Sequence, residues 1–122
     1  MIAVVSAVGI DSRAVGPGSL FVAISGERVD GHDFVADAFE RGAVAAVVHR
    51  PEIAGPVIEV PDTGRALRDL AADERGRMRG ARVVGITGSN GKTSSKDLAA
   101  AVVGPRLRTH ASPASFNNEI GL

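Results

Sequence analysis

The sequence predicts an α/β fold with a parallel sheet. Short apolar runs rich in valine alternate with segments in which apolar residues recur at helical spacing. The run Val44–Val48 contains no polar residue, which is typical of a strand covered on both faces. A glycine-rich turn then joins the apolar run Val83–Ile86 to a further helical pattern. Strand, glycines and helix in that order are the parts of a phosphate-binding loop.

The chain begins with strands and one short helix. Ile2–Val8 and Leu20–Ile24 are apolar runs that predict strands, and we expect the first of them to be buried. Asp33 is placed to cap a helix, and Gly42 is placed to end it. The apolar face of this helix is expected to comprise Phe34, Val35, Ala38 and Phe39.

A longer helix is predicted after a short strand at Val57–Val60. Either Asp62 or Thr63 can cap it. Its buried stripe is expected to comprise Leu67, Leu70, Ala71 and Met78. The charged residues off that stripe predict a solvated helix face rather than a binding patch. They are Arg65, Arg68, Asp69, Asp73, Glu74, Arg75, Arg77 and Arg79. Gly80 is placed to end the helix, and a domain boundary is expected there, giving domains 1–80 and 81–122.

The segment from Val83 to Thr93 carries the most specific chemistry. Its glycines let backbone N–H groups surround an anion, and the start of a helix adds further donors. Lys92 would reach the β- and γ-phosphates of a nucleotide, and the Thr93 hydroxyl would hold Mg²⁺. Ile86 stands where the general formula G-x-x-x-x-G-K-[ST] has its first glycine. A glycine-rich turn with a chance Lys-Thr is the alternative, disfavoured because every part occurs in order.

Composition narrows the class of protein. The 122 residues include 14 basic and 14 acidic side chains, so no excess charge points to nucleic acid. Cysteine is absent, which rules out disulfides and fits a reducing compartment. The apolar start is too short to span a membrane and lacks the basic region of a signal peptide. We therefore expect a soluble cytoplasmic protein with no membrane partner.

The stretch Asp30-Gly31-His32-Asp33 has the composition of a metal cluster. We interpret it as a turn followed by a helix cap, because Asp and Gly favour such positions. His32 is then a hydrogen-bonding loop residue rather than a ligand. His49 and His110 have no partner at metal-site spacing and are assigned no chemistry.

The loop Thr87–Thr93 matches the pattern T-G-x-x-G-K-T in full. With this motif the chain resembles the Mur ligases, the ATP-dependent amide-forming ligases of peptidoglycan synthesis. Matches in the first eighty residues resemble the family's nucleotide-sugar-binding domain: Asp11-Ser12-Arg13, Val15, Pro17-Gly18, Leu20-Phe21-Val22-Ala23, Gly26, Asp30-Gly31-His32-Asp33-Phe34, Ala38 and Gly42-Ala43. Lys96-Asp97-Leu98 and the segment 116–121 resemble the members that join D-alanyl-D-alanine to UDP-N-acetylmuramoyl-tripeptide. The implied fold is that substrate domain followed by the first strand, loop and helix of a P-loop parallel-sheet domain.

The resemblance implies a set of site residues. ATP would contact Thr87, Gly88, Ser89, Asn90, Gly91, Lys92, Thr93 and Ser94. The UDP substrate would contact Ser12, Arg13, Gly26, Glu27, Arg28, Asp30 and Asn117. Catalytic roles fall to Lys92, Asn118 and Glu119, and Mg²⁺ would be held by Thr93 and Glu119. Without the resemblance, residues 12–13 are better explained as a capped turn with a surface arginine, and residues 117–119 equally well as a polar loop.

Some features depart from the family pattern. The motif Asp11-Ser12-Arg13 lies closer to the start than is usual, and Ala114 stands where related members often have glycine. The second unit has a predicted strand at Arg82–Thr87, a helix at Lys92–Val103 and a short strand at Leu107–Thr109. A parallel sheet normally needs more strands and two covered faces, so the chain is expected to be cut short at its C-terminal end.

This shortness leaves several functional hypotheses open. The chain is expected to be part of a longer or split ligase with little activity alone, because the groups of one catalytic unit do not replace one another. The alternatives are a non-catalytic UDP-sugar-binding module and a sibling ligase that adds another amino acid. We expect residues 81–122 to be partly disordered or to self-associate, because the predicted strand would have exposed edges. A complementing downstream chain is the other expected partner.

Overall fold

The computed structural model describes residues 4–112, and its centre is a four-stranded parallel sheet. The strands are β1 (Ala7–Gly9), β2 (Ser19–Val22), β3 (Ala45–Val48) and β4 (Val57–Glu59), and they lie in that order across the sheet. The helices are α1 (Val35–Glu40), α2 (Thr63–Arg77) and α3 (Lys92–Val103), with 3₁₀ turns at Ser12–Ala14 and Gly31–Phe34. The predicted α/β class with a parallel sheet is confirmed.

The sheet is covered on both faces, as the apolar run through β3 predicts. Successive residues of a strand point to opposite faces. Phe21 of β2 and Val48 of β3 therefore lie in one core with Val35 and Ala38 of α1. The alternate residues lie in a second core with the first turns of α2: Leu20, Val22, Val47, Ala66, Leu67 and Leu70. The sheet therefore has one helix packed on each of its faces.

The first strand is shorter and less buried than predicted. The prediction of Ile2–Val8 is wrong for the described residues, because β1 covers Ala7–Gly9. Val4 is 82% exposed, and Val5 and Val8 are also exposed. The physical reason is position, since within residues 4–112 β1 pairs only with β2 and lies at the edge of the sheet.

The entry to α1 also differs from the prediction. Asp33 does not cap the helix; the side chain of Asp30 instead accepts the His32 N–H at 3.0 Å and starts a 3₁₀ turn. Phe34, expected on the buried face, ends that turn and is 41% exposed. Both aspartates have the right chemistry for a cap, and the one three residues earlier is used. Gly42 ends the helix as predicted, with φ +103°.

The second helix keeps its predicted start but buries less of its stripe. Asp62 Oδ1 accepts the Arg65 N–H at 2.9 Å, which confirms Asp62 as the cap. Leu67 and Leu70 are half-buried, whereas Ala71 and Met78 are exposed, because the short strands offer apolar surface only to the first turns. α2 ends at Arg77, before Gly80. Its charged side chains are exposed, as the solvated-face prediction requires.

Contacts divide the chain into two compact units, Met1–Asp73 and Glu74–Leu122. The predicted domain boundary at residues 80 and 81 stays a prediction. In the second unit α3 has the predicted bounds, Lys92–Val103. The predicted strands Arg82–Thr87 and Leu107–Thr109 are wrong, because both segments are irregular. Within residues 74–112 no strand is present for them to pair with, and a lone extended segment has no ladder partner.

Candidate functional site

The glycine-rich turn before α3 adopts the geometry that its glycines allow. Gly88 has φ +150° and Gly91 has φ +76°, values that residues with a Cβ rarely adopt. The carbonyl of Gly91 accepts the Ser95 N–H at 2.9 Å and so begins the helix. The first N–H groups of an α-helix have no partner within that helix, and they carry the positive end of its dipole. The turn therefore offers an anion-binding helix start.

The lysine and hydroxyl of the loop lie at this same helix start. Lys92 is the first residue of α3, half-buried, and its Nζ donates to the carbonyl of Gly88. Thr93 follows it and is exposed, as are Ser94 and the loop residues Thr87–Gly91. The structure thus brings together the ATP-contacting residues that the sequence predicts. One turn combines a cation, hydroxyl groups and helix N–H donors, which suits a polyphosphate.

A second lysine on α3 makes a contact that the sequence did not predict. Lys96 Nζ donates to the carbonyl of Ser112 at 2.6 Å and lies 3.2 Å from Asp97 Oδ1. The contact joins residues 16 apart in the chain, and no local pattern indicates it. It connects the phosphate-loop helix to the segment that precedes residue 113.

In the first unit, chain direction gathers the predicted nucleotide-sugar residues at one edge of the sheet. All four strands are parallel, so the segments that follow them leave from the same edge. Residues 11–13 follow β1, the loop Ser25–Asp30 follows β2, His49 and Arg50 follow β3, and residues 61–64 follow β4. This carboxyl edge is where open α/β sheets bind ligands.

Ser12 and Arg13 are both engaged with aspartates. Ser12 is buried, and its side chain, followed by that of Arg41, lowers the pKa of Asp37 of α1. Arg13 is exposed and donates from two guanidinium nitrogens to Asp11, at 2.9 and 2.8 Å. These bonds from Arg13 lower the pKa of Asp11 to about 2. Arg13 therefore lies at the sheet edge with its exposed guanidinium paired to Asp11.

Asp30 is the centre of a hydrogen-bonded cluster that we call the Asp30 cluster: Ser25, Asp30, His32, His49 and Arg50. Asp30 Oδ1 accepts the Ser25 hydroxyl at 3.1 Å and the His32 N–H at 3.0 Å, and it lies 2.6 Å from His32 Nδ1. Arg50 donates to Asp30 Oδ2. The His32 backbone and ring bonds, followed by the Ser25 bond, hold the pKa of Asp30 well below its usual range.

The histidine of the Asp30 cluster has a defined role. His32 Nε2 accepts the backbone N–H of His49 at 3.0 Å, so Nδ1 carries the ring proton and donates it to Asp30. The His32 side chain is 1% exposed. The prediction of a hydrogen-bonding loop histidine is confirmed. The sequence did not predict the bond from Arg50 to Asp30 or the bond from the His49 N–H to His32, because the partners lie 20 and 17 residues apart in the chain.

A cleft of about 250 Å³ opens at the same edge of the sheet. It is lined by Ile24, Ser25, His49, Pro61, Asp62, Thr63 and Gly64. Ser25 and His49 belong both to this cleft and to the Asp30 cluster. The start of α2 forms its other wall. The cleft was not predicted, because its lining comes from three separate segments, each of which follows a different strand.

Three predicted site residues, Asn117, Asn118 and Glu119, lie outside the described residues. Among residues 4–112, no group of three or more His, Cys, Asp and Glu side chains is placed to hold a metal ion. Of the two residues predicted to hold magnesium, Thr93 lies within the described range and Glu119 lies outside it. Within the same range, no helix is both long and apolar enough to cross a membrane.

The glycine-rich helix start and the parallel sheet are structural features typical of α/β proteins with a phosphate-binding loop. The profile of the Mur ligase family, catalytic domain, matches residues 4–102. The chain therefore belongs to the Mur ligase family.

Curated relatives and solved structures agree with this assignment. A UDP-N-acetylmuramoyl-tripeptide--D-alanyl-D-alanine ligase from Bacillus subtilis is 45% identical over 98% of this chain and 27% of its own length. The Escherichia coli ligase of that name is also 45% identical, over 95% of this chain and 26% of its own length. The chain thus spans about a quarter of the length of these relatives.

Two solved structures extend the similarity to the fold. A crystal structure of MurF from Acinetobacter baumannii superposes with TM-score 0.84 and 34% identity, covering 96% of this chain and 26% of that one. The MurF ligase from Thermotoga maritima, in complex with ADP, gives TM-score 0.78 and 33% identity over 93% of this chain and 27% of that one. The complex shows that this relative binds an adenine nucleotide.

Proposed function

We propose that this chain supplies the nucleotide-sugar-binding unit and the phosphate-binding loop of an ATP-dependent ligase. The ligase joins D-alanyl-D-alanine to UDP-N-acetylmuramoyl-tripeptide, a step of peptidoglycan precursor synthesis. The observation that carries the proposal is the helix start at α3, where Gly88 and Gly91 shape the turn and Lys92 and Thr93 follow it. The names of the relatives support the substrates, and the ADP complex of one relative supports the nucleotide.

The phosphate-binding loop would act by position and charge. ATP would transfer its γ-phosphoryl group to the carboxylate of the tripeptide, forming an acyl phosphate and ADP. The amine of D-alanyl-D-alanine would attack the acyl carbon, forming the amide bond and releasing phosphate. Lys92 and the N–H groups at the start of α3 would offset the negative charge of the transferring group. The hydroxyl of Ser94 would add a bond to the α- or β-phosphate.

The described part of the loop includes one of the two predicted protein ligands for Mg²⁺, the hydroxyl of Thr93. Mg²⁺ in phosphoryl-transfer sites is held by few protein ligands together with substrate phosphates and water. Thr93 offers one hydroxyl oxygen at the second position of α3. We assign Glu119 as the second protein ligand and Asn118 as its catalytic neighbour, on the resemblance alone. When bound, Mg²⁺ neutralises phosphate charge and orients the transferring group.

The first unit would hold the UDP part of the substrate. Ser12, Arg13 and the loop residues Gly26, Glu27, Arg28 and Asp30 follow parallel strands at one edge of the sheet. Arg13 gives Nε and one N–H of Nη2 to Asp11, so the paired bonds that a guanidinium can make to diphosphate oxygens would come from Nη1 and the other N–H of Nη2. We assign Asn117 to the same substrate on the resemblance. The cleft beside Ser25 lies next to this loop, because Ser25 lines it.

The apolar residues of α3 support a further partner. Leu98 and Val102 are 67% and 68% exposed, and Val83 and Val84 before the loop are 73% and 80% exposed. Exposed apolar surface of this kind favours association. We propose that a complementing chain or a second copy of this chain covers this apolar surface.

We also propose that the protein works in the cytoplasm, where its co-substrate ATP is found.

Titration calorimetry on the 122-residue chain tests the proposal. UDP-N-acetylmuramoyl-tripeptide is titrated first and Mg-ATP second, with UDP-glucose as the control nucleotide sugar. We expect the muramoyl substrate to bind and UDP-glucose to bind more weakly. Binding of neither UDP compound would overturn the substrate assignment. Binding of both UDP compounds with equal affinity would favour the general UDP-sugar module over the ligase.

A chimera tests the chemistry. This chain replaces the matching N-terminal segment of the Escherichia coli relative, and release of ADP is measured with each UDP-linked precursor in turn. We expect turnover with the tripeptide precursor and much less with the dipeptide precursor. A preference for the dipeptide precursor would indicate the sibling-ligase hypothesis instead. Variants of Lys92 in the chimera then separate loss of chemistry from loss of folding.

A further inference from the structure

The loop Ser25–Asp30 is closed at both ends by bonds that do not depend on any ligand. Gly26 N–H donates to Val29 O at 2.9 Å, and Gly31 N–H donates to Ile24 O, also at 2.9 Å. Ser25 and Asp30 pair as an isolated antiparallel bridge, and their side chains bond at 3.1 Å. The loop is therefore a narrow hairpin whose two ends are held within a single bridge.

Asp30 lies at the base of this hairpin, and its carboxylate accepts hydrogen bonds from two side chains outside the hairpin. His32 donates from Nδ1 to Oδ1, and Arg50, which follows β3, donates to Oδ2. Both oxygens of the carboxylate are thus occupied from inside the protein. The exposed fraction of the Asp30 side chain is 21%, against 46% for that of Arg50. A carboxylate held in this way is poorly placed to bind a substrate group directly.

We propose that His32 and Arg50 are positioning residues that hold the Ser25–Asp30 loop, through Asp30, in the conformation that binds the uridine nucleotide. This inference rests on the proposed function and deepens it, because it assigns how that site is built. Asp30 then contributes to binding by shaping the loop, and Gly26, Glu27 and Arg28 are left to contact the ligand.

The contacts around Asp30 and Gly31 restrain the loop to one conformation. The cluster adds two charged groups at the sheet edge, where each charge-assisted bond is stronger than a neutral one. His32 N–H and ring, Ser25 and Arg50 fix the Asp30 carboxylate from four directions. The backbone at Gly31 is also packed closely against that of Ile24. A Cβ at Gly31 would lie 2.7 Å from Ile24 N and 2.8 Å from Ile24 O. The loop can thus change its shape only if these contacts break.

Variants of His32 separate its two bonds. In His32→Asn the amide N–H can replace Nδ1 and keep the bond to Asp30, while the bond to His49 is lost. In His32→Gln the amide oxygen can replace Nε2 and keep the bond to His49, while the bond to Asp30 is lost. If Asp30 transmits the effect, His32→Asn rescues nucleotide binding and His32→Gln does not. A merely structural role predicts equal loss from both.

The experiment measures two quantities on each variant of the full chain. Calorimetry gives the affinity for UDP-N-acetylmuramoyl-tripeptide, and amide hydrogen exchange gives the protection of Gly26 and Gly31 without ligand. Arg50→Ala and His32→Gln are expected to weaken binding about ten-fold or more and to lose protection at both amides. Arg106→Ala removes the same charge from an exposed site in the second unit and is the matched control.

Each outcome decides something. Weakened binding with lost protection, and wild-type behaviour in Arg106→Ala, support the inference. Lost protection with unchanged affinity overturns it and leaves the proposed function standing. Unchanged protection in Arg50→Ala and His32→Gln also overturns it, because the loop would then be held by other contacts. If the wild-type chain does not bind the nucleotide sugar, the proposed function and the inference both fall.

Discussion

Lys92 donates a hydrogen bond from Nζ to the backbone carbonyl of Gly88, four residues earlier in the same loop. The bond draws the ammonium group back over the glycine-rich turn. The N–H groups at the start of α3 belong to the same turn, so positive charge is concentrated there. The sequence motif and the bond to Gly88 therefore both associate the Lys92 ammonium group with the glycine-rich loop rather than with the exposed surface of α3.

Replacement of Lys92 should weaken nucleotide binding. We expect Lys92→Met to reduce the affinity for Mg-ATP about ten-fold or more, because a charge-assisted bond to phosphate is lost. The measurement is titration calorimetry on the chain, with Lys92→Arg as the charge-conserving variant. Lys96→Met is the matched control, since Lys96 is the only other lysine and lies one turn further along α3. Equal affinity in Lys92→Met and Lys96→Met would refute the assignment.

Truncation of Phe21 should lower the free energy of unfolding far more than truncation of Phe34. Phe21 is 1% exposed in the core between the sheet and α1, whereas Phe34 is 41% exposed. We expect Phe21→Ala to lower the free energy of unfolding by about 3–5 kcal/mol, because it removes buried surface and leaves a cavity. Phe34→Ala should cost less than about 1 kcal/mol.

Urea unfolding of the two phenylalanine variants checks this difference. The transition is followed by the amide signals of residues in the first unit, so that the second unit does not enter the result. Should Phe21→Ala fail to fold, Phe21→Leu gives the smaller loss expected for a nearly volume-conserving change. Similar losses at the two positions would contradict the observed burial.

Local signals predicted some elements well and others badly. The bounds of α3 are set by Gly91 before it and by Gly104-Pro105 after it, and these are visible in the sequence. The apolar run at Val44–Val48 likewise predicted β3, because burial on both faces leaves a mark in composition. The strand expected at Arg82–Thr87 failed, since a strand depends on partners that its own residues do not specify.

The candidate site divides in the same way. The phosphate loop was predicted because its residues are contiguous and each has one chemical reason to be there. The Asp30 cluster was only half predicted: the turn at Asp30 and His32 is local, but Arg50 meets Asp30 across 20 residues. The cleft beside it was missed altogether, since its lining is assembled by strand order.

Gly42 should resist substitution for two independent reasons. Its φ of +103° is unfavourable for any residue with a Cβ, and a Cβ there would lie 3.0 Å from Pro17 Cα. We expect Gly42→Ala to lower the free energy of unfolding by about 1–3 kcal/mol. Gly16→Ala is the matched control, because a Cβ there meets nothing within 4 Å. Thermal unfolding compares them, and equal stabilities would mean that the strain at Gly42 is relieved by backbone movement.

Acid should destabilise the first unit through its aspartates. Bonds to Arg13 lower the pKa of Asp11 to about 2. The Arg65 N–H, and after it the Gly64 N–H, lower the pKa of Asp62. A carboxyl group with a lowered folded pKa binds fewer protons than the unfolded chain, so it stabilises the fold above the unfolded pKa of about 3.9. That stability is lost as the pH falls through the folded value.

Urea unfolding between pH 7 and pH 2 tests this, and Asp62→Asn isolates one contribution. The free energy of unfolding of the wild-type chain should change little from about pH 7 to pH 5 and fall below about pH 4. Asparagine caps helices as well as aspartate does, so Asp62→Asn should keep most of the stability at pH 7 and show a shallower acid loss. Asp69→Asn, which removes an exposed carboxylate from the same helix, controls for the change in charge. An acid slope equally steep in Asp62→Asn and wild type would show that the cap at α2 does not titrate with folding.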